Sequence, residues 1–231
     1  MNNQTDKRLE TIRADYDSLA KEYAERLFRE LEQKPLDCEL LRRFAVGVRD
    51  SGKVGDFGCG PGHVARFLDR AGVTMCGLDL SPGMVDQARR LSPEIDFRVG
   101  NMLALDLPDG ALAGITAFYC IVNLAPDLLP SVFAEMARVL APGGLLLLAF
   151  HMGNQDGGGH AMRPGELWGN PVKMEFYFHP PAQVERLLRA AGFEIEETIE
   201  REPYAPHVEY QTRRAYLFAR KMRPRQPHTI A

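Results

Sequence analysis

The stretch VGDFGCGPGH, residues 54–63, decides the fold prediction, because a short apolar run is followed at once by glycines at positions 58, 60 and 62. A strand, a glycine turn and a helix in this order form a loop whose backbone N–H groups approach a ligand without interference from Cβ atoms. The next apolar run ends in Asp79, which places a carboxylate at the carboxyl edge of the same sheet. A carboxylate there accepts hydrogen bonds from two ribose hydroxyls. The stretch therefore predicts a site for a cofactor that contains a ribose.

Two residues of this stretch bear on the kind of cofactor. The dinucleotide fingerprint G-x-G-x-x-G would need a glycine where this chain has His63. Asp56, just before the turn, would repel the anionic pyrophosphate of a dinucleotide and instead suits a cationic amino group. The pattern favours S-adenosylmethionine, whose methionine half carries such a group. An NAD(P)-dependent oxidoreductase stays as the alternative.

Short apolar runs alternate with helical patterns along the middle of the chain. The runs predict strands near residues 53–57, 74–78, 95–99, 112–118 and 145–150, with helices near 63–71, 82–91 and 128–140. This alternation is typical of a parallel sheet with helices on both faces, an α/β fold. Apolar residues at intervals of three and four predict an earlier helix from Leu9 to Leu31, stopped by Pro35, and a second helix over 36–46. The last third predicts a helix over 182–191 and strands at 194–199 and 215–219.

The glycine stretch and three later features together resemble a known family. The later features are Asp79, the turn Leu140-Ala141-Pro142-Gly143-Gly144-Leu145, and Ala191-Gly192-Phe193. With them, residues 50–220 resemble the class I S-adenosylmethionine-dependent methyltransferases, in their small-molecule branch. The resemblance implies a doubly wound, seven-stranded, mostly parallel sheet of Rossmann-like type, with the last strand antiparallel. It also implies a helical cap over residues 1–50, a cofactor-binding domain over 51–220 with a variable lid at 152–181, and a tail at 221–231.

The resemblance assigns ten residues to the cofactor. Asp56, Gly58 and Gly60, with Cys59 between the glycines, would hold the methionine end, and Asp79 would hold the ribose. The adenine would lie near Leu80, Met84, Asn101 and Met102, and Tyr119 would lie at the methionine portion, facing the substrate. Asn101 stands where many relatives carry an aspartate, and its amide can still accept a hydrogen bond from the adenine amino group.

Methyl transfer from a sulfonium needs alignment more than acid–base chemistry, because the methyl group is already electrophilic. A base is needed only for an acceptor that must lose a proton, such as an alcohol or a phenol. The candidates for catalysis are His151, at the end of the fifth strand, and Tyr16, on the N-terminal helix. Four further residues are candidates for substrate contact: Tyr23, His160, Trp168 and His179. Packing within the core is the alternative role for the two tyrosines and for Met84.

Composition and charge limit the kinds of partner, location and metal or disulfide site that the chain can have. The chain has 231 residues, with 28 Lys plus Arg against 31 Asp plus Glu, and its net charge of −3 gives no reason to expect nucleic-acid or bilayer binding. The polar N-terminus lacks a secretory signal, so a cytoplasmic location is expected. Four scattered cysteines indicate neither a disulfide framework nor a metal site.

From the motifs, the resemblance and the composition together, we expect a monomeric or homodimeric enzyme that methylates an O, N or S atom of a small organic molecule. A non-catalytic S-adenosylmethionine-binding module stays open.

Overall fold

The computed structural model describes residues 3–152 and 160–223. These residues form six α-helices: α1 (Asn3–Leu27), α2 (Pro35–Val48), α3 (His63–Arg70), α4 (Pro82–Leu91), α5 (Leu129–Val139) and α6 (Pro181–Ala190). They also form eleven strands: β1 (Val54–Phe57), β2 (Met75–Asp79), β3 (Asp96–Val99), β4 (Leu112–Phe118), β5 (Leu140–His151), β6 (His160–Met162), β7 (Glu166–Leu167), β8 (Asn170–Pro171), β9 (Phe176–Phe178), β10 (Phe193–Arg201) and β11 (Arg214–Lys221). Two short 3₁₀ helices span Glu30–Gln33 and Ile121–Asn123.

Seven strands form one sheet, in the order β10-β11-β5-β4-β1-β2-β3. The five strands from β5 to β3 run parallel, whereas β11 is antiparallel to both β5 and β10. This confirms the predicted doubly wound, mostly parallel sheet with a reversed last strand. The chain winds outward from β1 to β3 and then returns to place β4 on the other side of β1. Ligands of open α/β sheets bind where the strand order reverses, outside the carboxyl ends of the strands.

The sheet is buried on both faces, and β5 shows why its sequence is continuously apolar. Leu146, Leu148 and Phe150 face the core that α5 and α6 cover, while Leu145 and Leu147 face the core under α2, α3 and α4. Because side chains alternate between the faces of a strand, both sets must be apolar. The same alternation on β1 sends adjacent side chains to opposite faces of the sheet.

The N-terminal helices differ from the prediction in two respects. The long helix ends at Leu27, four residues before the predicted Leu31, and a 3₁₀ turn separates it from α2. Pro35 is the first residue of α2, a position that tolerates proline because its N–H would have no helical partner. Buried side chains of α2, among them Phe44, pack on the sheet. Of the predicted cap over residues 1–50, only α1 therefore lies across the strand ends.

Residues 160–181 form small β-structures beside α1. β6 pairs antiparallel with β9, and β7 pairs with β8 in a tight hairpin. Leu19 of α1 forms a separate buried cluster with Val172 and Met174. The glycine-rich part of the predicted lid, residues 153–159, and the tail from residue 224 lie outside the described residues. None of the helices described here has the length and apolar character that a membrane crossing requires.

Candidate active site

A cleft crosses the carboxyl ends of β4, β1, β2 and β3, and α1 forms its roof. Neighbouring strands lie about 4.8 Å apart, so the cleft extends over roughly 14 Å. It is lined by Leu9, Ile12, Arg13, Tyr16, Tyr23, Gly58, Gly60, Leu78, Asp79, Leu80, Ser81, Met84, Gly100, Asn101, Met102, Leu103, Phe118, Tyr119, Cys120, Asn123 and Leu124. Eight of the ten predicted cofactor residues are among them.

The glycine loop is fastened to the end of β2. The N–H groups of Gly58 and Cys59 both donate to the Leu78 carbonyl, at 2.8 and 3.1 Å. Gly58 has a φ of +66°, and a Cβ atom on it would lie 2.3 Å from the Cβ atom of Cys120. Only glycine fits this close approach. Glycine at position 58 therefore has two roles. It allows the close contact with the turn after β4, and it leaves the loop accessible to a ligand.

Asp79 lies at the centre of the cleft and holds the loop from the other side. Its Oδ2 accepts the Gly60 N–H at 2.8 Å, and its Oδ1 accepts the Ser81 N–H at 2.9 Å. Burial raises the pKa of this carboxyl group, and the backbone N–H donors oppose that shift. Each carboxylate oxygen accepts one of these hydrogen bonds and keeps capacity for another. The geometry thus allows Asp79 to accept two hydroxyl groups of a ligand.

The β3 side of the cleft is apolar with one amide. Leu80, Met84 and Met102 line it, next to Asn101. The Asn101 Oδ1 atom accepts the Leu103 N–H at 2.9 Å, which fixes the direction of the side chain. A flat, largely apolar group with polar edges, such as a purine base, fits this end.

Asp56 and Cys59 do not line the cleft, which corrects the expectation that they contact the cofactor. The Asp56 carboxylate is 1% exposed and accepts the Thr116 hydroxyl at 3.0 Å and the Ala65 N–H at 3.2 Å. Strand alternation explains this, because Phe57 faces the α5 side of the sheet and Asp56 faces α3. Cys59 is also buried and packs beside Gly77 of β2. Both residues support the loop from beneath.

The buried Asp56 carboxyl group gives a pH-dependent prediction. Burial raises its pKa from the ordinary 3.8 to about 7. Between about pH 4 and pH 7 the folded protein therefore keeps a proton that the unfolded chain has lost, so stability from this group falls as pH rises. The slope is at most about 1.4 kcal/mol per pH unit. Urea unfolding of the wild type and Asp56→Asn at pH 4, 5.5 and 7 should show the wild type losing stability relative to the variant across this range. Parallel pH dependences of the two proteins would contradict it.

Tyr16 and Tyr23 face the cleft from α1. The Tyr16 hydroxyl donates to Asn123 Oδ1 at 2.8 Å, whereas the Tyr23 hydroxyl has no hydrogen-bond partner among residues 3–152 and 160–223. Burial raises the pKa of both hydroxyl groups well above the ordinary value. Tyr16 therefore stays protonated at neutral pH and is a hydrogen-bond donor in the cleft. The free hydroxyl of Tyr23 can bond to a ligand.

Two aspartates that no sequence motif marks, Asp15 and Asp17, hold α1 in place. Asp17 Oδ1 accepts the Ser81 hydroxyl at 2.6 Å and the Gly83 N–H at 2.8 Å at the start of α4. Asp15 Oδ2 accepts the N–H groups of Lys173 and Met174, both at 2.7 Å. The roof is thus attached to the rim of the cleft on one side and to residues 160–181 on the other. Asn123, which accepts the hydrogen bond from the Tyr16 hydroxyl, was also not predicted from the sequence, because no motif marks the turn after β4.

The predicted histidines lie in three different environments. His151 packs against the rings of Tyr119 and Phe178, at centroid distances of 5.3 and 6.0 Å, and its Nδ1 lies 2.8 Å from the Thr212 hydroxyl. Burial holds the pKa of His151 well below its ordinary value, so the ring is neutral at pH 7. It lies behind Tyr119 rather than on the wall of the cleft.

His160 and His179 are placed away from the cleft. His160 is exposed and stacks on Phe178 at 4.4 Å. His179 is 1% exposed, with Nε2 3.1 Å from the Ile121 carbonyl, so it serves packing rather than substrate contact.

Trp168 occupies the tip of the β7–β8 hairpin with a φ of +52°, rare for a bulky residue, and its ring lies 5.8 Å from that of Tyr23. The Trp168 ring also lies 5.3 Å from the Arg26 guanidinium group of α1.

No group of three or more histidine, cysteine or acidic side chains within the described ranges is arranged to hold a metal ion. The four cysteines are free thiols. The polar side chains among the described residues of the cleft are those of Arg13, Asp79, Ser81, Asn101, Asn123 and the tyrosines.

The seven-stranded sheet with a reversed last strand, the glycine loop after β1 and the acid after β2 define the class I S-adenosylmethionine-dependent methyltransferase fold. A solved S-adenosylmethionine-dependent methyltransferase from Methanosarcina mazei has this fold, with a TM-score of 0.66 at 17% identity over 74% of this chain and 93% of that one. The [4+2]-cyclase SpnF also has it, with a TM-score of 0.62 at 22% identity over 81% of each chain. The fold alone therefore does not fix the reaction.

Residues 54–144 match the methyltransferase domain family. A demethylmenaquinone methyltransferase from Renibacterium salmoninarum is 30% identical over 150 residues, which cover 62% of this chain and 60% of that protein. The chain matches between 36 and 60% of the length of the first curated relatives. Over residues 54–144, which are less than half of the chain, the protein is similar to methyltransferases that use S-adenosylmethionine.

Proposed function

We propose that this chain is an S-adenosylmethionine-dependent methyltransferase that acts on a small organic molecule. The observation that carries the proposal is the Asp79 carboxylate, which faces the cleft while it holds the Gly60 N–H of the glycine loop. This arrangement supports a ribose at the centre of the cleft. The adenine then lies against Leu80, Met84 and Met102 on the β3 side, and the methionine portion extends over Gly58 toward Tyr119.

The charges in the cleft favour this cofactor over a dinucleotide. Among the described residues that line the cleft, Arg13 is the one cationic side chain, and it lies on α1. The Asp79 carboxyl group lines the cleft next to the glycine loop, and its charge would repel a pyrophosphate. The cationic sulfonium and amino groups of S-adenosylmethionine suit such surroundings.

The cofactor supplies an electrophilic methyl group, and the task of the protein is to align and shield it. α1 closes over the cleft through Tyr16 and Tyr23 and limits the access of water. Asp15 and Asp17 hold this roof in position. An acceptor that enters between α1 and residues 160–181 would pass Tyr23 and Trp168, which we propose as its contacts. For an acceptor to enter there, the hydrogen bonds that Asp15 and Asp17 of α1 make would have to break.

Where an acceptor must lose a proton, His151 is the base that we propose, and the Tyr119 ring, which separates it from the cleft, would have to move. The tyrosine hydroxyls in the cleft stay protonated because burial raises their pKa. The His151 ring is neutral, because its pKa is lowered by burial and then by Arg214 and Lys34, and it lies directly behind Tyr119. A neutral imidazole can accept a proton, but its lowered pKa makes His151 a weak base. Thiols and some amines would need no such base.

The experiment compares binding and turnover. Isothermal titration with S-adenosylhomocysteine, S-adenosylmethionine and NAD should give binding of the first two only. A panel of phenols, amines, thiols and carboxylic acids, assayed for S-adenosylhomocysteine release, should contain at least one acceptor that is methylated. Binding of NAD in their place would support an oxidoreductase. Cofactor binding with no turnover on an extended panel would favour a non-catalytic module or, as the cyclase with this fold illustrates, another reaction.

A further inference from the structure

Tyr119 closes the β4 end of the cleft in an unusual backbone conformation. Its φ is +55°, in the left-handed region that bulky residues rarely adopt. Such strain persists only where surrounding contacts over-determine it, and it is common at functional sites. The backbone N–H of Tyr119 donates to the Ala149 carbonyl at 2.7 Å. Its hydroxyl group does not reach the cleft but donates to Asp37 Oδ1 at 2.8 Å.

Asp37, in the first turn of α2, is completely buried. Its Oδ2 accepts the Tyr216 hydroxyl at 2.9 Å and lies 3.4 Å from Arg201 Nη2. One carboxylate thus receives two tyrosine hydroxyls and faces one guanidinium group. A charged acceptor strengthens each of these hydrogen bonds.

A buried set of balanced charges surrounds this carboxylate. Glu209 bonds to Arg201 at 3.0 Å, and Lys34 bonds to Glu30 at 2.7 Å. The Lys34 ammonium group also lies 5.1 Å from the centre of the Tyr119 ring, and the Arg214 guanidinium group lies 5.6 Å from it. With Asp37, three carboxylates face three cations, so the site is compensated. The set fixes the hydroxyl of Tyr119 and the position of its ring.

We propose that Asp37 is a positioning residue for the methionine portion of the cofactor, acting through Tyr119. The inference rests on the proposed function. Tyr119 and Asn101 lie at opposite ends of the cleft, because β4 and β3 are three strand spacings apart with Asp79 between them. If the ribose binds at Asp79 and the adenine toward Asn101, the methionine reaches Tyr119. The bond to Asp37 keeps the ring, and the strained turn through Cys120, at the boundary of that space.

A matched pair of variants tests the proposed role of Asp37. Tyr119→Phe and Tyr216→Phe each remove one hydroxyl from the same carboxylate, but only Tyr119 lines the cleft. Titrations would use S-adenosylhomocysteine, which carries the amino-acid portion, and adenosine, which lacks it. Tyr119→Phe should weaken S-adenosylhomocysteine binding about tenfold and leave adenosine binding within about twofold. Tyr216→Phe also removes a 2.9 Å contact between the two tyrosine hydroxyls but keeps the bond from Tyr119 to Asp37, so it should lower the ratio of S-adenosylhomocysteine affinity to adenosine affinity less than Tyr119→Phe does.

Asp37→Asn extends the test. It should lower the ratio of S-adenosylhomocysteine affinity to adenosine affinity as Tyr119→Phe does. It also leaves two carboxylates, Glu30 and Glu209, facing three cations, which is expected to lower the melting temperature. If Asp37→Asn does not fold, the tyrosine pair decides. An unchanged ratio in Tyr119→Phe, or an equal loss in Tyr216→Phe, would overturn the inference. Failure of the wild type to bind S-adenosylhomocysteine would instead refute the proposed function, so the two failures are distinguishable.

Discussion

Replacement of Gly58 by alanine is expected to destabilise the protein by roughly 2–5 kcal/mol and to abolish cofactor binding. The new Cβ atom would lie 2.3 Å from the Cβ atom of Cys120, and the φ of +66° would strain any side chain. Relief requires the loop to move away from the turn after β4, which breaks the Gly58 N–H bond to Leu78. Urea unfolding measures the first effect, and calorimetric titration with S-adenosylhomocysteine measures the second.

Two further variants separate the clash from the backbone strain. Gly60→Ala also places a side chain at positive φ, +50°, but its Cβ atom would lie 3.7 Å from the Tyr23 ring, which is ordinary contact. It should therefore destabilise the fold less than Gly58→Ala. In the double variant Gly58→Ala with Cys120→Gly the blocking atom is gone, and part of the stability should return. No recovery in the double variant would show that contact with Cys120 is not the cause.

The sequence predicted secondary structure correctly where a residue pattern has a single physical explanation. Period and apolar runs predicted the seven strands of the sheet, and β5 could be read because both of its faces are buried. The end of α1 was less readable. The apolar spacing continues through Leu31, but a 3₁₀ turn interrupts the helix, and that turn places Glu30 against Lys34 and His63. These buried partners outweigh the local helical pattern.

The candidate site was predictable in its backbone-driven parts and not in its side-chain network. Gly58, Gly60 and Asp79 follow from the chemistry of a glycine loop. The orientation of Asp56 does not, because a motif gives no indication of the face to which a strand residue points. Asp37 and its partners come from positions 82 to 179 residues apart in the chain. Contacts at such separations leave no local pattern to recognise.

Replacement of Asp79 by alanine should weaken S-adenosylhomocysteine binding by roughly 1.5–3 kcal/mol, which corresponds to between about tenfold and a hundredfold or more. The variant removes the proposed acceptor of the ribose hydroxyls. It also removes the acceptor of the Gly60 and Ser81 N–H groups, so the upper part of this range is expected.

Two controls make the Asp79 prediction specific. Asp96→Ala removes an acid of equal charge from the exposed start of β3, where it pairs with Arg98 at 2.7 Å, and it should leave the affinity unchanged. Asp79→Asn keeps one acceptor oxygen and should fall between Asp79→Ala and the wild type. Adenosine should lose as much affinity as S-adenosylhomocysteine in Asp79→Ala, because both ligands carry the ribose. A folded Asp79→Ala protein that binds S-adenosylhomocysteine as tightly as the wild type would place the ribose elsewhere and remove the main support for the cofactor site.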